Sequence, residues 1–299
     1  MSAELLAPAN GIEIAYQEIG DPADPALLLV MGLGMQMLGW HEDFCGMLAE
    51  RGFRVIRFDN RDIGRSSMID SAGIPNRLDM VLGRRSSAPY LLRDMAADTA
   101  GLMDHLEIES GHVVGVSMGG MIAQTLAIES PERVRSLVSM LSSTGSRLVG
   151  WPAPRAYARL MARPASGRDA AIEQAVQTFA VIGSPDYPMD EQHVREVAAS
   201  SYDRSHSRAG VLRQLHAITA SGDRTAALRM LNLPVAVIHG ERDPLINQSG
   251  GRATARAIPG AHLRIFAGMG HDLPRPLWPT FVEEIAATAN LAMRETTAV

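Results

Sequence analysis

The sequence predicts an α/β fold in which a parallel sheet is covered by helices on both faces. Two patterns point to it. Short apolar runs alternate with stretches of helical spacing, as repeated strand–helix units require. One run, Ala26–Met31 (ALLLVM), is apolar at every position, as in a strand buried on both faces. The chain has 299 residues, 46% hydrophobic and 20% charged. That suits an ordinary globule with one large α/β domain and an insertion, or two small domains.

The elements follow in order. Gly11–Glu18 reads as an early strand, and the Asp-Pro-rich turn at 21–25 leads into the Ala26–Met31 strand. Trp40–Arg51 has helical spacing with Gly52 as its stop, and Phe53–Phe58 is the next strand. Residues 60–87 mix Gly, Pro, Ser and Arg without periodicity and read as a surface excursion. Pro89–Leu106 is helical, His112–Val116 a strand, Met118–Ser130 a helix ended by Pro131, and Val134–Leu141 a strand. From Gly145 to about Asn232 no strand is predicted. Helices are expected there at Asp169–Ile182, Asp190–Arg204 and Ala209–Ser221. Alternation returns with strand Pro234–His239, helix Gly251–Ala257, strand His262–Phe266 and a closing helix over Leu277–Ala292.

Composition excludes several classes of function. The net charge is −5 with no Lys/Arg block, which argues against nucleic acid as a partner. The single cysteine, Cys45, precludes an intrachain disulfide and reads as a small packed residue. The first residues, Met-Ser-Ala-Glu, lack a signal-peptide pattern, and no run is long enough to span a membrane. The expectation is a cytoplasmic protein. Met35, Met37, Leu38, Met121, Trp151 and Met161 read mostly as core, and any that face a site would favour an apolar ligand.

Gly115-Val116-Ser117-Met118-Gly119 is G-x-S-x-G, placed directly between the strand HVVGV and the helix that opens at Met118. A serine hydroxyl gains reactivity on a sharp strand-to-helix turn. The following helix presents backbone N–H groups and its positive dipole end to a developing oxyanion. Serine is also a common N-cap, but an N-cap does not require glycine on both sides.

A serine nucleophile needs a base, and the base needs an orienting acceptor. His271 follows the last strand, between Gly268-Met-Gly270 and Asp272. Glycines there permit a mobile turn that brings the imidazole to Ser117. His239 ends a strand and is expected to pack or bond locally. His41, His105, His112, His193, His206, His216 and His262 have no nucleophile partner nearby in the pattern. Two acids follow the penultimate strand, Glu241 and Asp243, and Asp243-Pro244 is also a turn former. Asp272 adjoins the base in sequence and is expected to point elsewhere.

After ALLLVM comes Gly32-Leu33-Gly34, whose glycines let backbone approach a ligand closely. The segment imitates a dinucleotide fingerprint, with Asp59 beyond it, but the third glycine position is Met37. No H-E-x-x-H, C-x-x-C or Walker pattern occurs, so no cofactor, metal or nucleotide is implied.

Taken together, VMGLG, FDNRDIGRSS at Phe58–Ser67, HVVGVSMGG at His112–Gly120, HGERDP at His239–Pro244 and GMGHDLP at Gly268–Pro274 resemble the α/β-hydrolase superfamily. More narrowly the chain is similar to the actinobacterial esterase/lipase group that includes aclacinomycin methylesterase. The resemblance implies an eight-stranded, mostly parallel sheet. It implies a core domain of residues 1–144 and 233–299 and a helical cap of residues 145–232. It favours Asp243 over Glu241 as the acid, and gives the order Ser117, Asp243, His271 for the triad. Leu33 and Met118 become the oxyanion donors, with Gly32 and Gly34 lining the substrate. Asp59, Arg61, Gly64 and Ser66 match a pattern that stabilises the loop after a strand.

The activity implied is hydrolysis of a small-molecule carboxylic ester through an acyl-serine. The same groups serve C–C bond hydrolysis, thioester hydrolysis or perhydrolysis, and a ligand-binding relative without turnover belongs to another class.

Overall fold

The computed structural model describes residues 3–163, 165–205 and 207–297. Eight strands are found among them: β1 (Leu5–Ala9), β2 (Ile12–Ile19), β3 (Ala26–Val30), β4 (Arg54–Phe58), β5 (Gly111–Val116), β6 (Val134–Met140), β7 (Val235–Gly240) and β8 (His262–Phe266). They form one sheet in the order β1-β2-β4-β3-β5-β6-β7-β8. β2 runs antiparallel to β1 and β4, and every other pairing is parallel. The sheet is thus eight-stranded and mostly parallel, as the resemblance implied.

Alternate residues of the central strands enter two apolar layers, since successive side chains point to opposite faces. Leu28, Val30, Val113, Leu137 and Val237 enter the layer covered by α3 (Leu92–His105) and α4 (Met118–Glu129). Leu27, Leu29, Val114, Val138 and Ile238 enter the layer covered by α1 (Glu42–Ala49) and α11 (Trp278–Thr297). Cys45 is fully buried in this second layer, where burial pushes its thiol up to about 12. It is packing material, as expected. α10 (Ser249–Ala257) lies between β7 and β8 in sequence.

Two elements before α3 lie outside the sequence reading, as do two short helices of the insertion described below. β1 is an additional antiparallel edge strand. The excursion after β4 contains a short helix, α2 (Arg77–Leu82), capped by the Asn76 side chain at Leu78 N and Asp79 N.

Between β6 and β7 the described residues are helical: α5 (Pro154–Leu160), α6 (Arg168–Ile182), α7 (Glu191–Arg204), α8 (Arg208–Ser221) and α9 (Thr225–Leu228). This insertion is fastened to the sheet's loops by polar contacts. Arg213 of α8 and Asp62 of the loop after β4 form a fully buried ion pair, with bonds of 2.8 and 2.7 Å. Gln214 donates to Arg61 O at 2.8 Å and accepts from Gly34 N–H at 3.0 Å. Gln36 donates to Ser201 O and Ser205 O, and Arg204 bonds Asp59 at 2.8 Å.

Among the described residues no helix is long and apolar enough to cross a membrane. Met37 and Met121 are buried, as expected of core, whereas Trp151 and Met161 are exposed.

Candidate active site

Ser117 stands at the junction of β5 and α4 with φ 57° and ψ −120°. A non-glycine residue at such a φ is strained and persists only where its surroundings over-determine it. They do so here: Ser117 N–H donates to Met140 O at 2.8 Å, and Ser117 O accepts from Ser142 Oγ at 2.8 Å. The strain falls on the serine itself. Gly115 and Gly119 have ordinary φ. They are needed for space, because a Cβ on Gly115 would lie 2.2 Å from Gly119 O, and one on Gly119 2.0 Å from Val30 O. Ser117 occupies the N-cap position of α4, yet its hydroxyl makes no cap bond.

The hydroxyl meets His271 instead. His271 Nε2 lies 3.0 Å from Ser117 Oγ, and His271 Nδ1 lies 2.7 Å from Asp243 Oδ2. The imidazole and the carboxylate are buried. A carboxylate only accepts, so Nδ1 carries the hydrogen and Nε2 offers its lone pair to the serine. Asp243 uses its oxygens separately. Oδ1 accepts from Leu245 N–H at 2.8 Å and Ile246 N–H at 2.9 Å, which shapes the turn, while Oδ2 serves the histidine. The turn-forming and imidazole-orienting readings of this aspartate therefore describe one side chain. Burial alone would raise its carboxyl; the adjoining His271 and the hydrogen bonds from His239 and His271 outweigh it and hold the group well below the usual carboxylate range.

The turn that carries His271 is packed rather than loose. A Cβ on Gly270 would lie 2.3 Å from Gly183 O, and one on Gly268 2.2 Å from Asp186 Oδ2. Gly270 N–H donates to Ser184 Oγ at 2.9 Å, and His271 N–H to Ile182 O at 2.7 Å. The glycines give room for the end of α6 to seat on the turn, where the sequence suggested freedom of movement. Asp272 points away, to Ser184. Glu241 is exposed.

The loop after β3 closes the other side. A Cβ on Gly32 would come within 3.2 Å of Ser117 Cβ, so backbone approaches the serine directly. Gly34 has φ 69°, and Val211 of α8 would sit 3.3 Å from a Cβ there. The Leu33 N–H has no acceptor among the described residues. Met118 N–H belongs to the first turn of α4, whose amides lack intrahelical acceptors.

Asp59 supports this loop from below. Its carboxylate accepts from Met37 N–H at 2.7 Å and Arg65 N–H at 3.0 Å. A Cβ on Gly64 would fall 2.0 Å from it, Ser66 Oγ donates to Asp59 O at 2.6 Å, and Arg61 pairs with Asp98.

Sequence reasoning missed the role of His239. Its Nε2 lies 2.7 Å from Ile246 O and 3.3 Å from Asp243 Oδ2. A carbonyl only accepts, so Nε2 is the protonated nitrogen and shares its hydrogen between the two oxygens. The i,i+4 spacing of His239 and Asp243 around a strand end was the available signal. Elsewhere His112 bonds Ser136 Oγ, His216 meets Arg84 O, and the His41 ring packs at a tilt against His193 and Trp278. His206 lies outside the described residues. Among those residues no group of three or more His, Cys, Asp or Glu is gathered to hold a metal ion.

A family model described as "alpha/beta hydrolase fold" matches residues 25–274. The chain is 30% identical over 295 residues to rhodomycin D methylesterase DauP of Streptomyces sp., covering 92% of this chain and 94% of that one. In structure it is similar to an enol-lactonase from Burkholderia xenovorans, with TM-score 0.73 at 23% identity over 96% of this chain and 100% of that one. It is also similar to a meta-cleavage product hydrolase from Pseudomonas fluorescens, with TM-score 0.73 at 20% identity over 96% and 98%.

Proposed function

The chain belongs to the α/β-hydrolase-fold family, and from that premise we propose that it hydrolyses a carboxylic ester of a small molecule through an acyl-serine intermediate. The observation that carries the reading is the relay from Ser117 Oγ through His271 to Asp243, with bonds of 3.0 and 2.7 Å, at a serine held in a strained elbow. Ser117 attacks the ester carbonyl while His271 Nε2 takes its proton. Asp243 fixes the tautomer and stabilises the imidazolium. The Leu33 and Met118 N–H groups hold the oxyanion. Collapse expels the alcohol, which takes the proton back from His271. Water then attacks the acyl-serine by the same route and releases the acid.

Residues 145–232 act as a cap on this reading, over a core domain of residues 1–144 and 233–299. Gly32 and Gly34 lie along the ester. The methylesterase relative supports a methyl ester as the scissile group.

Ser117→Ala tests the assignment. Turnover of p-nitrophenyl butyrate is expected to fall by at least ~10³-fold with the fold intact. Equal turnover by parent and variant would remove Ser117 from the mechanism. A panel that adds a diketone and an acyl-CoA separates ester cleavage from C–C and thioester hydrolysis. An acyl-enzyme burst with an activated ester separates an enzyme from a binding relative.

A further inference from the structure

We propose that the face built from α2 and the segment 147–151 docks this protein on an anionic lipid surface. α2 is inverted for a surface helix. Its inner residue Met80 is buried, while Leu78 and Val81 are 60% and 66% exposed on the opposite side, with Leu82 exposed beside them. The segment after β6 adjoins it, because Arg147 Nη2 donates to Leu82 O at 2.9 Å. That segment presents Leu148 at 87% exposure and Trp151 at 66%. Exposed apolar residues grouped in this way mark a binding surface, and a tryptophan among them suits the boundary between water and lipid.

Charge selects the occupant. Residues 74–85 and 147–151 hold four arginines (77, 84, 85 and 147) and one acid, Asp79. That is a surplus of three positive charges in a chain whose net charge is −5. All four are exposed. Exposed leucine, valine and tryptophan interspersed with these arginines along the two segments match an anionic bilayer. A second copy would set the same positive face against itself and be repelled. The face lies at the carboxyl edge of the sheet: β6, whose Met140 O accepts the Ser117 N–H, runs on directly into it.

The full chain tests this by co-sedimentation with vesicles of phosphatidylcholine alone or with about one-third phosphatidylglycerol. Binding is expected to the mixed vesicles only, and to be lost as salt shortens the Debye length to about 3 Å. Trp40 and Trp278 are buried, so a blue shift of tryptophan emission on binding reports Trp151. Val81→Asp with Leu148→Asp, or Arg77→Glu with Arg85→Glu, should cut the bound fraction about ten-fold or more. Hydrolysis of a water-soluble ester should not change. Equal binding to both vesicle types overturns the proposal. So does the same blue shift without lipid on concentrating the protein, accompanied by a dimer in sedimentation velocity.

Discussion

Every residue of β3 is buried, and its side chains alternate between two apolar layers. No residue of α7 is buried. That helix is held to the sheet's loops by Arg204 on Asp59 and by Gln36 on the carbonyls of Ser201 and of Ser205 just past its end. The neighbouring α8 adds the Arg213–Asp62 pair and Gln214. The faces of the sheet are therefore packed by non-directional burial, whereas α7 is fixed by a few directional bonds, and α8 combines the two because its Ala217 enters the first apolar layer. An apolar core tolerates changes of shape that keep its volume. A buried ion pair tolerates almost none, because removing one partner strands the other. The difference matters at the candidate site: the nucleophile and acid grow from the sheet, but the loop opposite them is braced by the insertion.

The sharpest break of this contrast is Arg213→Ala. It leaves the Asp62 carboxylate fully buried with only the Tyr90 hydroxyl and the Ile69 N–H. The expected cost is about 3–5 kcal/mol. It should appear as lost amide protection in α7 and α8 at denaturant concentrations that leave β3 and β5 protected. Simultaneous loss in sheet and insertion would mean that the two are one cooperative unit.

That pair also marks where the sequence stopped being informative. Arg213 and Asp62 are 151 residues apart, and neither has a local pattern that names the other. The interior strands were legible because burial on both faces demands unbroken apolar runs such as ALLLV and VAVI. β1 was not, because only Ala7 and Ala9 of its five residues are buried and Pro8 interrupts the pattern. α2 was hidden because its exposed side is the apolar one. Ser117, His271 and Asp243 could be named from strand ends and turn glycines, and the resemblance chose Asp243 over Glu241. The elbow glycines make room for neighbouring backbone, which no local pattern shows, and His239 was passed over because a histidine closing a strand reads as packing or a local bond.

Acid should act on the two regions at different pH. His112 of β5 is buried, and burial with the nearby Arg135 pushes its pKa down from 6.5 to about 4. The unfolded chain takes up that proton first. Stability of the sheet is therefore lost as pH falls from about 6.5 to about 4, at no more than about 1.4 kcal/mol per unit and roughly 3 kcal/mol in all. Asp62 behaves otherwise. Burial would raise it, but the bonds from Arg213, Tyr90 and Ile69 N–H outweigh burial and hold it low. Its contribution is complete above about 3.9 and is lost only as pH drops through the lower folded value. Urea melts across this range should show the sheet weakening first. His112→Gln should flatten the slope above about pH 4; an unchanged slope would assign it to another group.

The smallest expected effect on stability asks whether the insertion is part of the catalytic apparatus. Gln214→Leu keeps the size of a fully buried side chain but removes the acceptor for Gly34 N–H and the donor for Arg61 O. Leaving those two groups without partners should cost about 1–2 kcal/mol. The catalytic consequence should be out of proportion to that. Gly34 follows the proposed oxyanion donor Leu33, and an oxyanion contact is worth about 10²–10³ in turnover only when it is held in place. A loosened loop predicts kcat lower by about ten-fold with KM nearly constant, since the contact strengthens in the transition state. Leu28→Ala, buried in the sheet, should cost more stability, about 2–5 kcal/mol, yet leave kcat unchanged wherever the protein stays folded. If the two variants lost kcat alike, the loop would be placed by the sheet, and the insertion would be a cover.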